Sequence, residues 1–355
     1  MNNKEFKKAV DLLVKEKGID KEIIYGALEA ALTTAYKRNY HSLPNVRVEI
    51  DDDKGDVKVY SFMTVVDEVE DDRIELTLKE AQKIVPGIKV GETIEEEVTP
   101  KDFGRVAAST AKQVVIQKIK EAERENIIEE FGDKQDEMIS GLVAMEDVRN
   151  YYIDLGRTQG ILPKNEIIPG EKIKMGSTIK AYITKVDNNS KGPLILLSRN
   201  HYGFVKRLFE LEIPEINDGL ILIYSVARDA GNRTKIAVYS ENKNIDPIGS
   251  CVGERGSRIN NIIKELNGEK IDIVLYDDDP VKFIQNALSP AKDLSVFITD
   301  DKKHEAMVIS NQENLSLAIG KKGYNVRLAA RLTHYKLDVK TIDQAREDGI
   351  NILEG

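Results

Sequence analysis

Two short stretches of this chain carry residues whose types and spacing suit phosphate recognition. Residues 252–259 read Val-Gly-Glu-Arg-Gly-Ser-Arg-Ile, and residues 319–326 read Ile-Gly-Lys-Lys-Gly-Tyr-Asn-Val. Each is apolar-Gly-x-x-Gly-x-x-apolar, with basic residues inside the loop or beside it. Glycines at these two places let a backbone approach the phosphates of single-stranded RNA, where a side chain would stand in the way. The candidate RNA-contacting residues are Gly253, Glu254, Arg255, Gly256 and Arg258 in the first stretch. In the second they are Gly320, Lys321, Lys322, Gly323, Asn325 and Arg327. Glu254 beside Arg255 makes the first loop the poorer anion site of the two.

A single Gly-x-x-Gly reads as readily as a helix–turn–helix corner. The elements around these two decide otherwise. Around the first, residues 202–211 have helical spacing, 219–228 and 233–240 read as a hairpin, 257–266 as a helix closed by Asn267-Gly268, and 270–276 as a strand. Around the second, 281–288, 313–319 and 324–332 are helix-like, and 294–299, 305–309 and 336–342 are strand-like. Helix, strand, strand, helix, loop, helix, strand is the order of a bacterial-type (type II) KH domain. A repeated supersecondary unit is far less accidental than a four-residue match.

Between residues 138 and 199 the pattern changes to five short strands with glycines at the bends, at 139–144, 148–155, 160–163, 176–186 and 194–199. That spacing predicts a small OB-type barrel, and the order Gly-x-Val, Leu-Gly, Gly-x-Leu-Pro, Gly, Leu-Ser-Arg resembles the RNA-binding barrel named after ribosomal protein S-one. Alternation places Tyr152 on the face opposite Tyr151 and Ile153, either as a base-stacking platform or as a core tyrosine. Arg199 is the barrel's candidate phosphate contact.

The first third predicts two amphipathic helices. One has the stripe Phe6, Val10, Leu13 and Val14; the other, capped by Asp20, has Ile23, Ile24, Ala27, Leu28, Ala31, Leu32 and Tyr36. Strands at 46–50 and 57–60 meet across a turn at 53–55. Residues 102–131 form one long helix, read as a spacer, with Phe103, Val106, Ala107, Ala111, Val114, Val115 and Ile119 toward one side. The fold class is therefore multidomain α+β. Its expected divisions are 1–136 (helix–sheet domain with linker helix), 137–200 (barrel), 201–277 and 278–345 (tandem KH domains) and a tail at 346–355.

The net charge of −9 is unevenly spread. Residues 1–136 hold 22 Lys/Arg against 30 Asp/Glu, and residues 137–355 hold 30 against 31. RNA binding needs a local basic stripe and not a basic total. Arg199, Lys206, Arg207, Arg228, Arg233, Lys235, Arg255, Arg258, Lys321, Lys322, Arg327 and Arg331 are candidates for it. The acidic runs 51–53, 95–97 and 277–279 read as solvated turns or helix starts, with Asp279-Pro280 as an N-cap and first-turn proline.

No cofactor and no metal site is expected. The four histidines share no ligand spacing with one another or with Cys251, and there is no Walker loop. Cys251 reads as a packed small hydrophobe. No nucleophile–base pair stands out, so the chain is not expected to be an enzyme. No apolar run reaches the length of a membrane span, and the amphipathic start and lone cysteine fit a cytoplasmic protein.

Longer blocks carry a family resemblance. They are residues 102–108 with 111–113, 214–216, 227–229 with 233–238, 245–253, 268–274, 286–291, and 318–320 with 325–329. In these the chain resembles the NusA family of bacterial transcription elongation, termination and antitermination factors. The resemblance implies that the N-terminal domain binds RNA polymerase near the RNA exit channel. It implies that the barrel and both KH modules contact single-stranded nascent RNA, with effects on pausing, intrinsic termination and antitermination. Other Nus-type antitermination factors are implied partners; a monomer without membrane contact is expected. The acidic C-terminal repeats of some relatives have no counterpart in this sequence. The residues alone also admit a ribosome-assembly or translational RNA chaperone. An RNA-degrading enzyme such as polynucleotide phosphorylase fits less well, because its barrel follows a large catalytic core.

Overall fold

The computed structural model describes residues 21–40, 45–51, 56–189 and 192–347. The expected first helix, the Asp20 cap, the turn at 53–55 and nearly all of the tail lie outside the described residues. The chain forms two compact units, which divide between Ile127 and Ile128.

In the first unit, helix α1 (Lys21–Tyr40) covers a four-stranded sheet. Strand β2 (Val57–Val66) pairs antiparallel with β1 (Val46–Ile50) and β4 (Thr93–Glu97), and parallel with β3 (Glu75–Thr77). Ile24, Leu28, Leu32 and Tyr36 repeat every fourth residue and are buried against Val46, Val48, Ile50 and Val59. Ile23 departs from the expected stripe and is 57% exposed. It is rotated by about 100° from Ile24 and falls off the covered face. Helix α3 (Phe103–Gly132) follows the short α2 (Leu78–Ile84). Its first turns are not merely a spacer, because Phe103, Ala107, Ala111 and Val115 close the same core. Glu95–Glu97 corrects another expectation. The run is not beside a turn but in β4, where Glu95 pairs with Arg47 at 2.6 Å and Glu97 with Lys58 at 3.5 Å.

The second unit opens with a closed barrel in the order β5 (Met138–Glu146), β6 (Asn150–Asp154), β7 (Gln159–Pro163), β9 (Gly192–Ser198), β8 (Thr178–Asn189). Val143, Ile153, Leu162, Ile183, Ile195 and Leu197 are buried.

Two KH units of like topology follow. The first comprises α4 (Tyr202–Glu212), α5 (Pro214–Asn217), β10 (Leu222–Asp229), β11 (Arg233–Tyr239), α6 (Pro247–Val252), α7 (Ser257–Glu265) and β12 (Lys270–Leu275). The second comprises α8 (Pro280–Ala287), β13 (Ser295–Asp300), β14 (Glu305–Ser310), α9 (Gln312–Ile319), α10 (Tyr324–Thr333) and β15 (Lys336–Thr341), with α11 (Ile342–Glu347) behind it. In each the middle strand pairs antiparallel with the strand before it and parallel with the strand after the helices. Asp279 caps α8 as expected, accepting from Val281 N at 3.0 Å ahead of Pro280. The cores are shared. Ile168 and Tyr182 of the barrel pack with Phe204, Phe209 and Ile262 of the first KH unit. Ala227, Ala237 and Val274 of the first pack with Phe283, Leu288, Leu328 and Leu332 of the second. Burial on this scale fixes the two loops relative to each other.

Candidate nucleic-acid interface

The two Gly-x-x-Gly loops are nearly the same object. Gly253 has φ 73° and ψ 173°, and Gly320 has φ 72° and ψ 169°. Such angles are open essentially to glycine alone. The third loop residue is left-handed in both, Arg255 at φ 53° and Lys322 at φ 54°, and so is the second glycine, Gly256 at φ 77° and Gly323 at φ 74°. Gly256 N donates to Gly253 O at 3.1 Å, and Gly323 N to Gly320 O at 3.0 Å. Each loop turns directly into a helix whose first amides have no intrahelical partner, a setting that favours an anion.

The side chains differ more than the backbones. Lys321 and Lys322 are both exposed, with Arg327 and Arg331 exposed on the following helix. Arg327 donates to Lys322 O at 3.1 Å and lies over the Tyr324 ring, 5.5 Å from its centre. The first loop exposes Glu254 and Arg255, whose charges cancel. At short range the second loop is therefore the stronger attractor of phosphate.

Three of the expected contacts need correction. Asn325 is 5% exposed, and its Nδ2 donates to the carbonyls of Leu288, Leu317 and Ala318 at 2.9, 3.1 and 3.2 Å. It faces inward and presents nothing to RNA. The Arg258 Nη1 is engaged by Glu215 at 2.8 Å and Ser250 O at 2.7 Å. Arg199 is not on the surface of the barrel. Its side chain is 3% exposed, with Nε 3.0 Å from Glu171 and Nη1 3.0 Å from Glu265; it also donates to Lys180 O and Glu265 O. It ties the barrel to helix α7.

The basic stripe loses further members for the same reason. The Arg228 side chain is 2% exposed, bound to Glu269 and to the carbonyls of Arg199 and His201. Lys235 is fully buried beside Asp272, which also holds Arg233 at 2.7 Å. Arg207 pairs with Glu137 and Glu210. The exposed cations that remain are Lys206, Arg255, Lys321, Lys322, Arg327 and Arg331. The carboxylate partners lie between 28 and 66 residues away from the cations of Arg199 and Arg228, so no local pattern could announce them.

Tyr152 is half-buried on the barrel and donates its hydroxyl to Asp147 at 2.7 Å. Asp147 also accepts the amides of Arg149 and Asn150, at 2.7 and 2.6 Å. These bonds, the Tyr152 hydroxyl first, hold the Asp147 carboxyl down at about 2. The same bond pushes the Tyr152 phenol up. Neighbouring Tyr151 carries the Lys164 ammonium 5.1 Å from its ring centre. The sequence missed Asp147, although an Asp two residues before an exposed turn amide is a usual turn signal. Cys251 is fully buried, and burial pushes its thiol up to about 12, as suits a packing residue.

Comparison with known proteins gives the geometry a family. Residues 5–125 match the NusA N-terminal domain, 134–197 the S1 RNA binding domain, 199–276 the NusA-like first KH domain and 280–347 the NusA-like second KH domain. A protein of Bacillus subtilis named transcription termination/antitermination protein NusA is 51% identical over 342 residues, covering 96% of this chain and 92% of its own. Proteins of the same name are 49% identical in Halalkalibacterium halodurans, covering 98% and 91%, and 38% identical in Thermus thermophilus, covering 97% and 92%. Domain order, loop geometry and near full-length identity agree: the chain belongs to the NusA family of transcription termination/antitermination proteins.

Proposed function

We propose that this protein holds RNA polymerase and the emerging transcript together, and by doing so modulates pausing, hairpin-dependent termination and antitermination. The observation that carries the RNA half is the repeated loop: two backbones with the same left-handed sequence of angles, each opening a helix, the first exposing Arg255 and the second framed by exposed Lys321, Lys322 and Arg327. The polymerase half is supported by the names of the relatives and by charge. The first 136 residues carry a net −8, which repels phosphate and suits a basic protein surface. In this division residues 1–136 meet polymerase, the barrel at 137–200 and the KH units at 201–277 and 278–345 meet single-stranded RNA, and other Nus-type factors join the same assembly. Tethering through polymerase raises the local concentration of the RNA-binding modules at the exit site.

The test is transcription by purified polymerase on a template with a hairpin pause. The protein should lengthen the pause. A variant with Arg255, Lys321 and Lys322 changed to Asp should still co-sediment with polymerase but lose most of the effect. An undiminished pause in that variant would remove the loops from the mechanism.

A further inference from the structure

The side chain two residues beyond the second glycine does the same work in both loops with different chemistry. In the second loop this is Asn325, whose Nδ2 donates to the carbonyl of Leu317, three residues before Gly320. In the first it is Arg258, whose Nη1 donates to the carbonyl of Ser250, three residues before Gly253. Each side chain also forms the floor under its loop's first glycine. A Cβ on Gly253 would lie 2.7 Å from Arg258 Cγ, and one on Gly320 would lie 2.7 Å from Asn325 Cβ. The second fastening is where they part. Asn325 is neutral, buried and bound to two further carbonyls. Arg258 is about one-third exposed and anchored by Glu215, which sits 43 residues upstream on α5.

We propose that Arg258 and Asn325 are equivalent positioning residues that hold the two loops in their RNA-binding shape, and that the first loop alone is held through an ion pair, anchored by Glu215. The inference rests on the reading of the loops as RNA clamps. It changes what Arg258 is for: its charge serves the loop and not the ligand. It also gives the two KH units different sensitivities. Salt screens a partly exposed ion pair and barely touches a buried amide on carbonyls. The first clamp should therefore loosen with salt for two reasons, weaker phosphate attraction and a looser loop, and the second for the first reason only.

The sign of one substitution separates this from plain electrostatics. Removing a carboxylate from an RNA-binding protein ordinarily tightens binding, because a repulsion is lost. The latch requires the reverse at Glu215. The experiment uses the whole chain with Lys321→Asp and Lys322→Asp, so that the first loop dominates, and a single-stranded RNA of about 12 nucleotides. Two quantities are read: RNA affinity, and amide hydrogen exchange of residues 253–257 without RNA. Glu215→Ala should speed loop exchange and weaken binding by about two- to fivefold, the range of a partly exposed ion pair. Adding Arg258→Asn, which installs the second loop's fastening, should restore both toward the starting values. Tighter binding in Glu215→Ala overturns the proposal. So does Arg258→Asn weakening RNA equally with or without Glu215 while loop exchange stays unchanged, since Arg258 would then be a direct ligand. If the starting chain binds no RNA through its first loop, the clamp reading fails there, and loop exchange alone decides the latch: an unchanged rate in Glu215→Ala overturns it.

Discussion

Lys235 Nζ donates to the carbonyl oxygen of Ser289 at 2.9 Å, from a side chain with no exposed surface. The bond joins the middle strand of the first KH unit to the segment after α8 of the second. Asp272, 3.1 Å away, supplies the counter-charge and is itself held by Arg233. Burial pushes the Lys235 ammonium below its ordinary range, while Asp272 opposes that shift. The two KH units are thus fastened through the buried Lys235 and its bond to the Ser289 carbonyl as well as the apolar core around Leu288 and Leu332.

Lys235→Ala should be strongly destabilising. It leaves the Ser289 carbonyl unpaired and opens space in the shared core. Asp272 keeps Arg233 as its partner, so the cost is that of the lost charged hydrogen bonds, about 1.5–3 kcal/mol, plus the lost packing of the lysine stem. Urea unfolding should show a lower midpoint, whereas an unchanged midpoint would mean that the Lys235 bonds contribute nothing net.

Arg199→Ala tests whether this residue is structural, as its burial indicates. A phosphate ligand would reduce the salt slope of RNA binding by about one when removed. A buried tie between Glu171 and Glu265 should instead lower stability by about 3–5 kcal/mol and leave the slope alone. Denaturant melts and RNA titrations at several salt concentrations distinguish the two.

Gly320 and Gly323 should respond differently to the same change. A Cβ on Gly320 would lie 2.9 Å from the backbone nitrogen of Asn325, at angles few other residues adopt, so Gly320→Ala should cost stability of about 1–3 kcal/mol. A Cβ on Gly323 meets nothing closer than the flexible end of Arg327 at 3.8 Å, and its left-handed angles are ones that Asp tolerates. Gly323→Asp should therefore keep the fold and weaken RNA binding about tenfold through added negative charge. Thermal melts and RNA titrations of both variants provide the check.

The Asp147–Tyr152 bond sets a pH dependence at the barrel. The Asp147 carboxyl is depressed from 3.8 to about 2 in the folded chain. A depressed acid contributes stability that is fully present above its unfolded value and is lost as pH falls through the folded one. The hairpin should accordingly hold unchanged from neutral pH down to about 4 and loosen between about 4 and 2. Asp147→Asn should bring the raised Tyr152 phenol back toward its ordinary value of 10.0, read by NMR of labelled tyrosine. A Tyr152 titration unmoved by that substitution would show that the bond is not made in solution.

Both Gly-x-x-Gly loops, the elements around them and the five barrel strands were legible in the sequence, because each is written locally. Glycines fall where φ must be positive, Asp279-Pro280 starts a helix, Asn267-Gly268 ends one, and alternation or fourfold spacing marks each buried face. Local spelling could not say which charged residues face water. Arg199, Arg228 and Lys235 look like any surface cation in the sequence. Only tertiary packing brings Glu171 to Arg199 inside the barrel and Glu269 to Arg228 inside the first KH unit, and only the contacts between units bring Glu265 to Arg199 and the Ser289 carbonyl to Lys235. Asn325 and Arg258 looked like ligands for the same reason: their nearness to the loop is local, but their inward direction is set by carbonyls and a carboxylate from other elements. Charge–charge and hydrogen-bond partnerships act through space at a few ångströms, whatever the separation along the chain. The sequence by itself therefore determined the modules and their order, and the tertiary structure decided which of their cations are left free to meet RNA.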